Sequence, residues 1–205
     1  MTTPLPTILI FLKVPRPGLV KTRLAKSIGD DDACRVYRAL VAHTLSQIPE
    51  HWPLRIHFAP AEAEKEMTAW LGSDRHFIPQ PEGDLGDRLL LACKQAFAEK
   101  DNAGVILLGG DCPGFSSSHL EACAQQLADN KPTIGPSEDG GYWLLGLPSP
   151  RPELFQNIPW STPQVLPTTL ALLAKEQTPV TQLETLFDVD ELETWEKAQK
   201  LGFSL

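Results

Sequence analysis

"GVILLGGDCPGF", residues 104–115, is the stretch whose reading decides the fold class. Val105 to Leu108 form an unbroken apolar run without polar alternation, the pattern of a strand covered on both faces. Gly109, Gly110 and Asp111 follow at once, and a helical stretch at 116–128 opens with the Ser-x-x-Glu capping pattern of Ser118 and Glu121. Upstream the same alternation repeats. "GDLGDRLLLACKQAFAEK" (83–100) predicts a helix with Leu89, Ala92, Cys93, Ala96 and Phe97 on one face. "HFIPQ" (76–80) and "LRIHFAP" (54–60) predict strands, with a helix at 62–71 between them. From Asp31 onward Val36, Tyr37, Leu40, Val41, Thr44 and Ile48 recur at helical spacing, and "TILIFL" (7–12) predicts the first strand.

Downstream, strands are expected at 133–136 and 142–147 around the turn "SEDGG". Helices are expected at 163–175, with Pro167 in the opening turn, and at 190–201, capped by Asp190 and Glu193. Strands alternating with helices predict an α/β fold with a mostly parallel sheet and right-handed crossovers. Residues 1–205 have the length of one domain. In such sheets ligands bind beyond the carboxyl ends of the strands. The unusual loops fall there: residues 13–23, 81–88 and 109–114.

Charge is unevenly placed. The chain carries a net −8, yet residues 1–29 hold Lys13, Arg16, Lys21, Arg23 and Lys26 and no acid. An acidic protein with one cationic turn suits a small anionic ligand, and it argues against nucleic acid or an anionic membrane as partner. The apolar run near the amino terminus is too short for a signal peptide or a span. Cys34, Cys93, Cys112 and Cys123 form no C-x-x-C pair and read as buried thiols of a reducing compartment, so a cytoplasmic location is expected.

In the basic turn Pro15 and Pro17 stiffen the backbone, Gly18 lets N–H groups approach a ligand, and lysine with arginine suits a di- or triphosphate. The turn is not a Walker loop. Asp111, directly after a buried strand, is a candidate ligand for Mg²⁺ or Mn²⁺, or a helix cap before Pro113. Gly109 and Gly110 leave space for a base or ribose. Glu138 and Asp139 offer carboxylates in what is equally a tight turn. Asp188 and Asp190 in "FDVDELETW" are read as a helix cap in preference to a second metal site. The five histidines lack zinc spacing, and no G-x-S-x-G is present.

Taken in order, "FLKVPRPGLVKTRLA", "GDLGDRL", "GGDCPGF", "GPSEDGGYWLLGL", "IPWST" and "FDVDELETW" resemble a bacterial family of small glycosyltransferases in the nucleotide-diphospho-sugar transferase superfamily, some members of which are associated with arsenosugar biosynthesis. The Lys-Thr-Arg-Leu turn is also similar to that of phospholactate guanylyltransferases and, more distantly, molybdenum-cofactor guanylyltransferases. The resemblance implies a GT-A fold, a three-layer α/β/α sandwich with a mixed sheet. It implies that Lys13, Lys21 and Arg23 hold a donor's phosphates, that Gly83, Asp84 and Gly86 line the nucleotide pocket, and that Asp111 holds a divalent metal. It places Asp139, with Gly140 and Gly141, on the acceptor side. Gly-Gly-Asp at 109–111 departs from the Asp-x-Asp of many GT-A glycosyltransferases. The expected activity is therefore transfer from a nucleotide-sugar to a small-molecule acceptor, or of a nucleotidyl group from an NTP to a phosphorylated acceptor. A nucleotide-binding protein without catalysis is the third reading.

Overall fold

The computed structural model describes residues 4–100, 102–175 and 179–204. Strands β1 (Thr7–Lys13), β2 (Leu54–Ala59), β3 (His76–Pro79), β4 (Val105–Leu108), β5 (Thr133–Pro136), β6 (Tyr142–Leu147) and β7 (Thr181–Gln182) form one sheet in the order β3-β2-β1-β4-β6-β5-β7. Pairs β1·β2, β2·β3, β1·β4 and β5·β7 are parallel, while β6 runs antiparallel to both β4 and β5. The sheet is mixed and mostly parallel, as the sequence predicts.

The apolar runs lack alternation because both faces are covered. Ile8, Ile10 and Leu12 of β1 enter the core under α2 (Asp30–Ser46), α3 (Glu64–Leu71) and α5 (Ser117–Ala128), where Val41, Met67 and Leu120 are buried. Leu9, between them, faces the opposite core under α4 (Leu85–Phe97) and α6 (Val165–Ala174), with Phe11 packed against the same cluster. A smaller cluster joins α1 (Thr22–Ile28), α2 and α7 (Leu192–Lys200) through Leu24, Leu40, Phe187, Val189 and Trp195.

Local capping differs from the sequence expectation at two helices. The residue that starts α5 is Ser116, whose N–H donates to His119 Nδ1 at 3.0 Å. The helix thus begins two residues before the predicted Ser118–Glu121 pair. At α7 the N-cap is Glu191, and Thr194 Oγ1 accepts from the N–H groups of Asp190 and Glu191 at 3.0 and 3.2 Å. Asp190 is not a side-chain cap because its carboxylate is taken by cations, described below. The basic stretch is also not all loop: it becomes helical at Thr22. A short 3-10 turn at Pro152–Phe155, which the sequence reading missed, packs on α4.

All four cysteines are buried and free. Among the described residues, no helix is long and apolar enough to cross a membrane.

Candidate active site

The ends of β1 and β4 and the β5–β6 turn meet at the carboxyl edge of the sheet around a cavity of about 340 Å³. Phe11, Leu85, Leu89, Tyr142 and Trp160 supply apolar and aromatic wall, and Asp111, Asp139 and Asp188 supply the charged part. Gly109 and Gly110 also line it. A Cβ on Gly109 would meet the Trp143 carbonyl oxygen at 3.4 Å and Asp111 Oδ1 at 3.5 Å. A Cβ on Gly110 would meet Leu12 Cδ2 at 2.9 Å, so the close approach of the core at that glycine also leaves no room for a side chain.

The basic turn reaches this edge in a way the sequence did not reveal. Tyr37 of α2 pins its start: the hydroxyl accepts from Lys13 N–H at 2.9 Å and donates to Lys13 C=O at 3.1 Å. The Lys13 side chain itself is exposed. Arg16 turns outward to Glu66, with its Nη2 at 2.6 Å from Oε1. Lys21 takes a left-handed conformation, φ 48°, as the residue before α1. That is unusual for a side chain with a Cβ. It carries the ammonium inward, where Nζ donates to Asp111 Oδ2 at 2.7 Å and Asp190 Oδ1 at 2.8 Å. The Lys21 side chain is only 5% exposed. Burial alone would lower its pKa, but the two carboxylates more than offset that and hold it above the ordinary lysine value. Arg23 pairs with Asp190 and, at 3.2 Å, with Glu191. Burial pushes Asp190 up, while Lys21 and then Arg23 bring it below the usual carboxylate range.

Phe187-Asp188-Val189-Asp190 alternates like a strand. Phe187 and Val189 pack into the α1/α2/α7 cluster, and the Val189 N–H donates to the Asp111 carbonyl at 3.1 Å. The two aspartates consequently face the site, Asp190 at Lys21 and Asp188 at the cavity. Ser137 Oγ donates to Asp188 Oδ2 at 2.5 Å. Burial and then the neighbouring Asp111 charge push the Asp188 pKa up to about 7. The sequence suggests a helix cap for these two residues; the signal for a site role is the apolar-acid alternation F-D-V-D.

That shift has a sign opposite to the usual acid case. The fold favours the protonated carboxyl, so Asp188 costs nothing below the unfolded carboxylate range. Its penalty grows from about pH 4 to about pH 7 and is constant above. Asp188→Asn is expected to raise Tm more at about pH 8 than at about pH 5. Equal gains at both values in a thermal melt would refute the assignment.

The remaining sequence-predicted residues divide. Asp139 lines the cavity and accepts from the Gly141 N–H at 2.8 Å, while Glu138 points away to Lys197 at 2.6 Å. Asp84 caps α4, accepting from the Asp87 N–H at 2.9 Å. Gly83 has φ 116°, a conformation that favours glycine. Gly86 is a close-approach glycine: a Cβ there would meet the Phe155 carbonyl oxygen at 2.3 Å and Trp160 Nε1 at 2.7 Å. None of Gly83, Asp84 and Gly86 lines the cavity, whereas Leu85 does. The sequence reading assigned no role to Trp160 itself, although it sits in the quoted "IPWST".

Among the described residues, no group of three or more His, Cys, Asp or Glu side chains converges to hold a metal unaided. Asp111 and Asp188 nonetheless fit a hard divalent cation. They are two oxygen donors on the wall of one cavity, and Mg²⁺ commonly takes one or two carboxylates plus phosphate and water.

Comparison with known proteins gives three findings. A model of the family described as "Uncharacterized protein conserved in bacteria (DUF2064)" matches residues 44–162. A crystal structure from Desulfovibrio desulfuricans G20, provisionally named a nucleotide-diphospho-sugar transferase, is 34% identical, covers 90% of this chain and 82% of its own, and superposes with TM-score 0.85. More distant likenesses show the fold. One is Rv0371c from Mycobacterium tuberculosis H37Rv in complex with manganese, at 14% identity and TM-score 0.58 over 95% of this chain and 98% of that one. Another is 4-diphosphocytidyl-2C-methyl-D-erythritol synthase from Anaerococcus prevotii, at 10% and 0.61 over 96% of each chain. No curated protein sequence matches the chain.

Proposed function

The chain belongs to the bacterial family DUF2064, and we propose that it is a divalent-metal-dependent, nucleotide-using transferase that moves a glycosyl group from a nucleotide-diphospho-sugar to a small acceptor. The observation that carries this reading is the meeting of Lys21 with Asp111, which itself lines the cavity. Ninety residues apart in sequence, they bring to one point on the sheet edge a cation of the kind that suits phosphate and a carboxylate of the kind that suits a divalent metal. The neighbour at 34% identity supports nucleotide-sugar chemistry, and the manganese complex of a fold relative accords with a metal.

Lys21, Arg23 and the exposed Lys13 would bind the donor's phosphates; Asp111 and Asp188 would hold the cation. When bound, that cation neutralises charge on the departing phosphate. The chain's own residues do the rest. An acceptor hydroxyl oxygen bonds to the anomeric carbon as the bond from that carbon to the phosphate oxygen breaks. The electron pair leaves on the nucleoside diphosphate, and the hydroxyl proton passes to Asp139, the carboxylate open to both cavity and solvent. Lys21 and Arg23 would stabilise the leaving diphosphate electrostatically. A cytoplasmic, reducing setting would suit the four buried thiols.

Thermal-shift titration with UDP-sugars, GDP-sugars and the four NTPs, with and without Mn²⁺, tests this. Metal-dependent stabilisation by a nucleotide-sugar is expected. Stabilisation by NTPs alone would assign nucleotidyl transfer instead. Binding with no turnover across a wide acceptor panel would assign a non-catalytic nucleotide binder.

A further inference from the structure

We infer that Lys21 is a built-in counter-ion that couples the two ligands of the site: it opposes a divalent cation that arrives alone, and it yields Asp111 to the cation when a phosphate-bearing donor arrives with it. This rests on the transferase reading above and adds how that site is regulated. Lys21 Nζ donates to Asp111 Oδ2 at 2.7 Å and to Asp190 Oδ1 at 2.8 Å, and its side chain is 5% exposed. The ammonium therefore already neutralises the carboxylate that suits a metal. A dication on that carboxylate would stand within a few ångströms of the ammonium, in a site largely shut off from water, where like charges repel strongly. The backbone agrees with a residue held in one of two places. Lys21 is left-handed, at φ 48° and ψ 42°, and a residue with a Cβ stays there when its surroundings hold it. The polar contacts that hold its side chain are these two ion pairs.

Charge balance decides which ligands can enter separately. A metal alone would leave the buried ammonium with Asp190 only, beside a dication. A phosphate alone would draw the ammonium off Asp111 and leave that carboxylate facing an anion. With both present every charge has a partner. The cation takes Asp111, the phosphate takes Lys21, and Asp190 keeps Arg23, with which it already pairs. Each ligand thus removes the cost that the other meets on its own. That is a positive coupling between two sites, and by linkage it is reciprocal: the donor raises metal affinity by the factor that the metal raises donor affinity. It also reconciles the two parts given to Lys21, as partner of Asp111 in this structure and as phosphate ligand in the transferase reading.

The test counts free Mn²⁺ by electron paramagnetic resonance as Mn²⁺ is titrated into the whole protein, alone and with excess UDP or GDP, after subtracting the Mn²⁺ that free nucleotide holds. Wild type, Lys21→Met and Lys21→Arg are compared. Without nucleotide, Mn²⁺ is expected to bind Lys21→Met at least about ten-fold more tightly than wild type, and Lys21→Arg, which keeps the charge, should stay near wild type. Nucleotide should raise the Mn²⁺ affinity of wild type by about ten-fold or more and that of Lys21→Met by clearly less. Equal Mn²⁺ affinity in wild type and Lys21→Met overturns the inference. So does a nucleotide effect of one size in both. Should Lys21→Met not fold, wild type decides: Mn²⁺ held as tightly without a bound nucleotide as with it overturns the inference. Calorimetric titration of UDP and GDP into the same samples reports on the transferase reading separately. No nucleotide binding, with the Mn²⁺ difference between wild type and Lys21→Met intact, would sink that reading alone.

Discussion

Asp111→Asn is expected to lower turnover by about a thousand-fold, equivalent to about 4 kcal/mol of transition-state stabilisation, while leaving the melting temperature within a few degrees. The size follows from what the carboxylate would do. A neutral amide keeps the shape and can still accept from Lys21, which also retains Asp190 at 2.8 Å. The fold therefore keeps its contacts. The hard anionic oxygen that a divalent cation needs is gone. Donor affinity should become indifferent to Mn²⁺, as read by calorimetry with and without the metal. If Mn²⁺ enhances donor binding in the variant as much as in the wild type, Asp111 is not the metal ligand. The Gly-Gly-Asp sequence would then have to be explained as sheet-edge geometry alone.

The contrast between what could and could not be read from sequence follows the range of the forces involved. Ile8 to Leu12 and Val105 to Leu108 announce doubly covered strands because burial on two faces removes every polar residue, a local signature. The sequence also puts Asp111 and Asp139 beside strand ends, and both line the cavity. Residues whose role depends on distant chain were less legible. Asp190 looked like a cap because nothing nearby in sequence shows that Lys21, 169 positions away, will reach it. Gly86 looked like a pocket glycine; only the packing of Phe155 and Trp160 against α4 shows that its missing side chain admits backbone and indole. The turn-forming letters of "SEDGG" served two ends at once. Ser137 and Gly141 close the turn, with N–H to O at 3.0 Å, and the same turn directs Asp139 into the cavity and Glu138 away from it.

Lys21→Met isolates the charge at the centre of this arrangement, because methionine keeps most of the aliphatic stem and removes the ammonium. Asp111 and Asp190 then face one another without their shared cation, with only Arg23 left on Asp190. Breaking a fully buried ion pair costs about 3–5 kcal/mol, but these carboxylates are 32% and 34% exposed, so water absorbs part of the loss. A destabilisation of about 2 kcal/mol is expected, or about 4–8 °C in Tm for a chain of this size. The pH dependence has a defined direction. Asp190 lies below the usual carboxylate range in the folded protein, so the stability it gains from Lys21 is present above about pH 4 and is lost as the pH falls through its depressed value. Wild type and variant should therefore converge in acid. Donor affinity should also fall, and the deficit should shrink at high salt as charge is screened. Divalent cation supplies the decisive arm. If Lys21 occupies ground that a metal can share, Mn²⁺ should raise the Tm of Lys21→Met more than that of the wild type, because it replaces the missing positive charge between Asp111 and its neighbours. An equal rise in both would mean that the cation binds elsewhere, and that the lysine and the metal do not act on the same carboxylates.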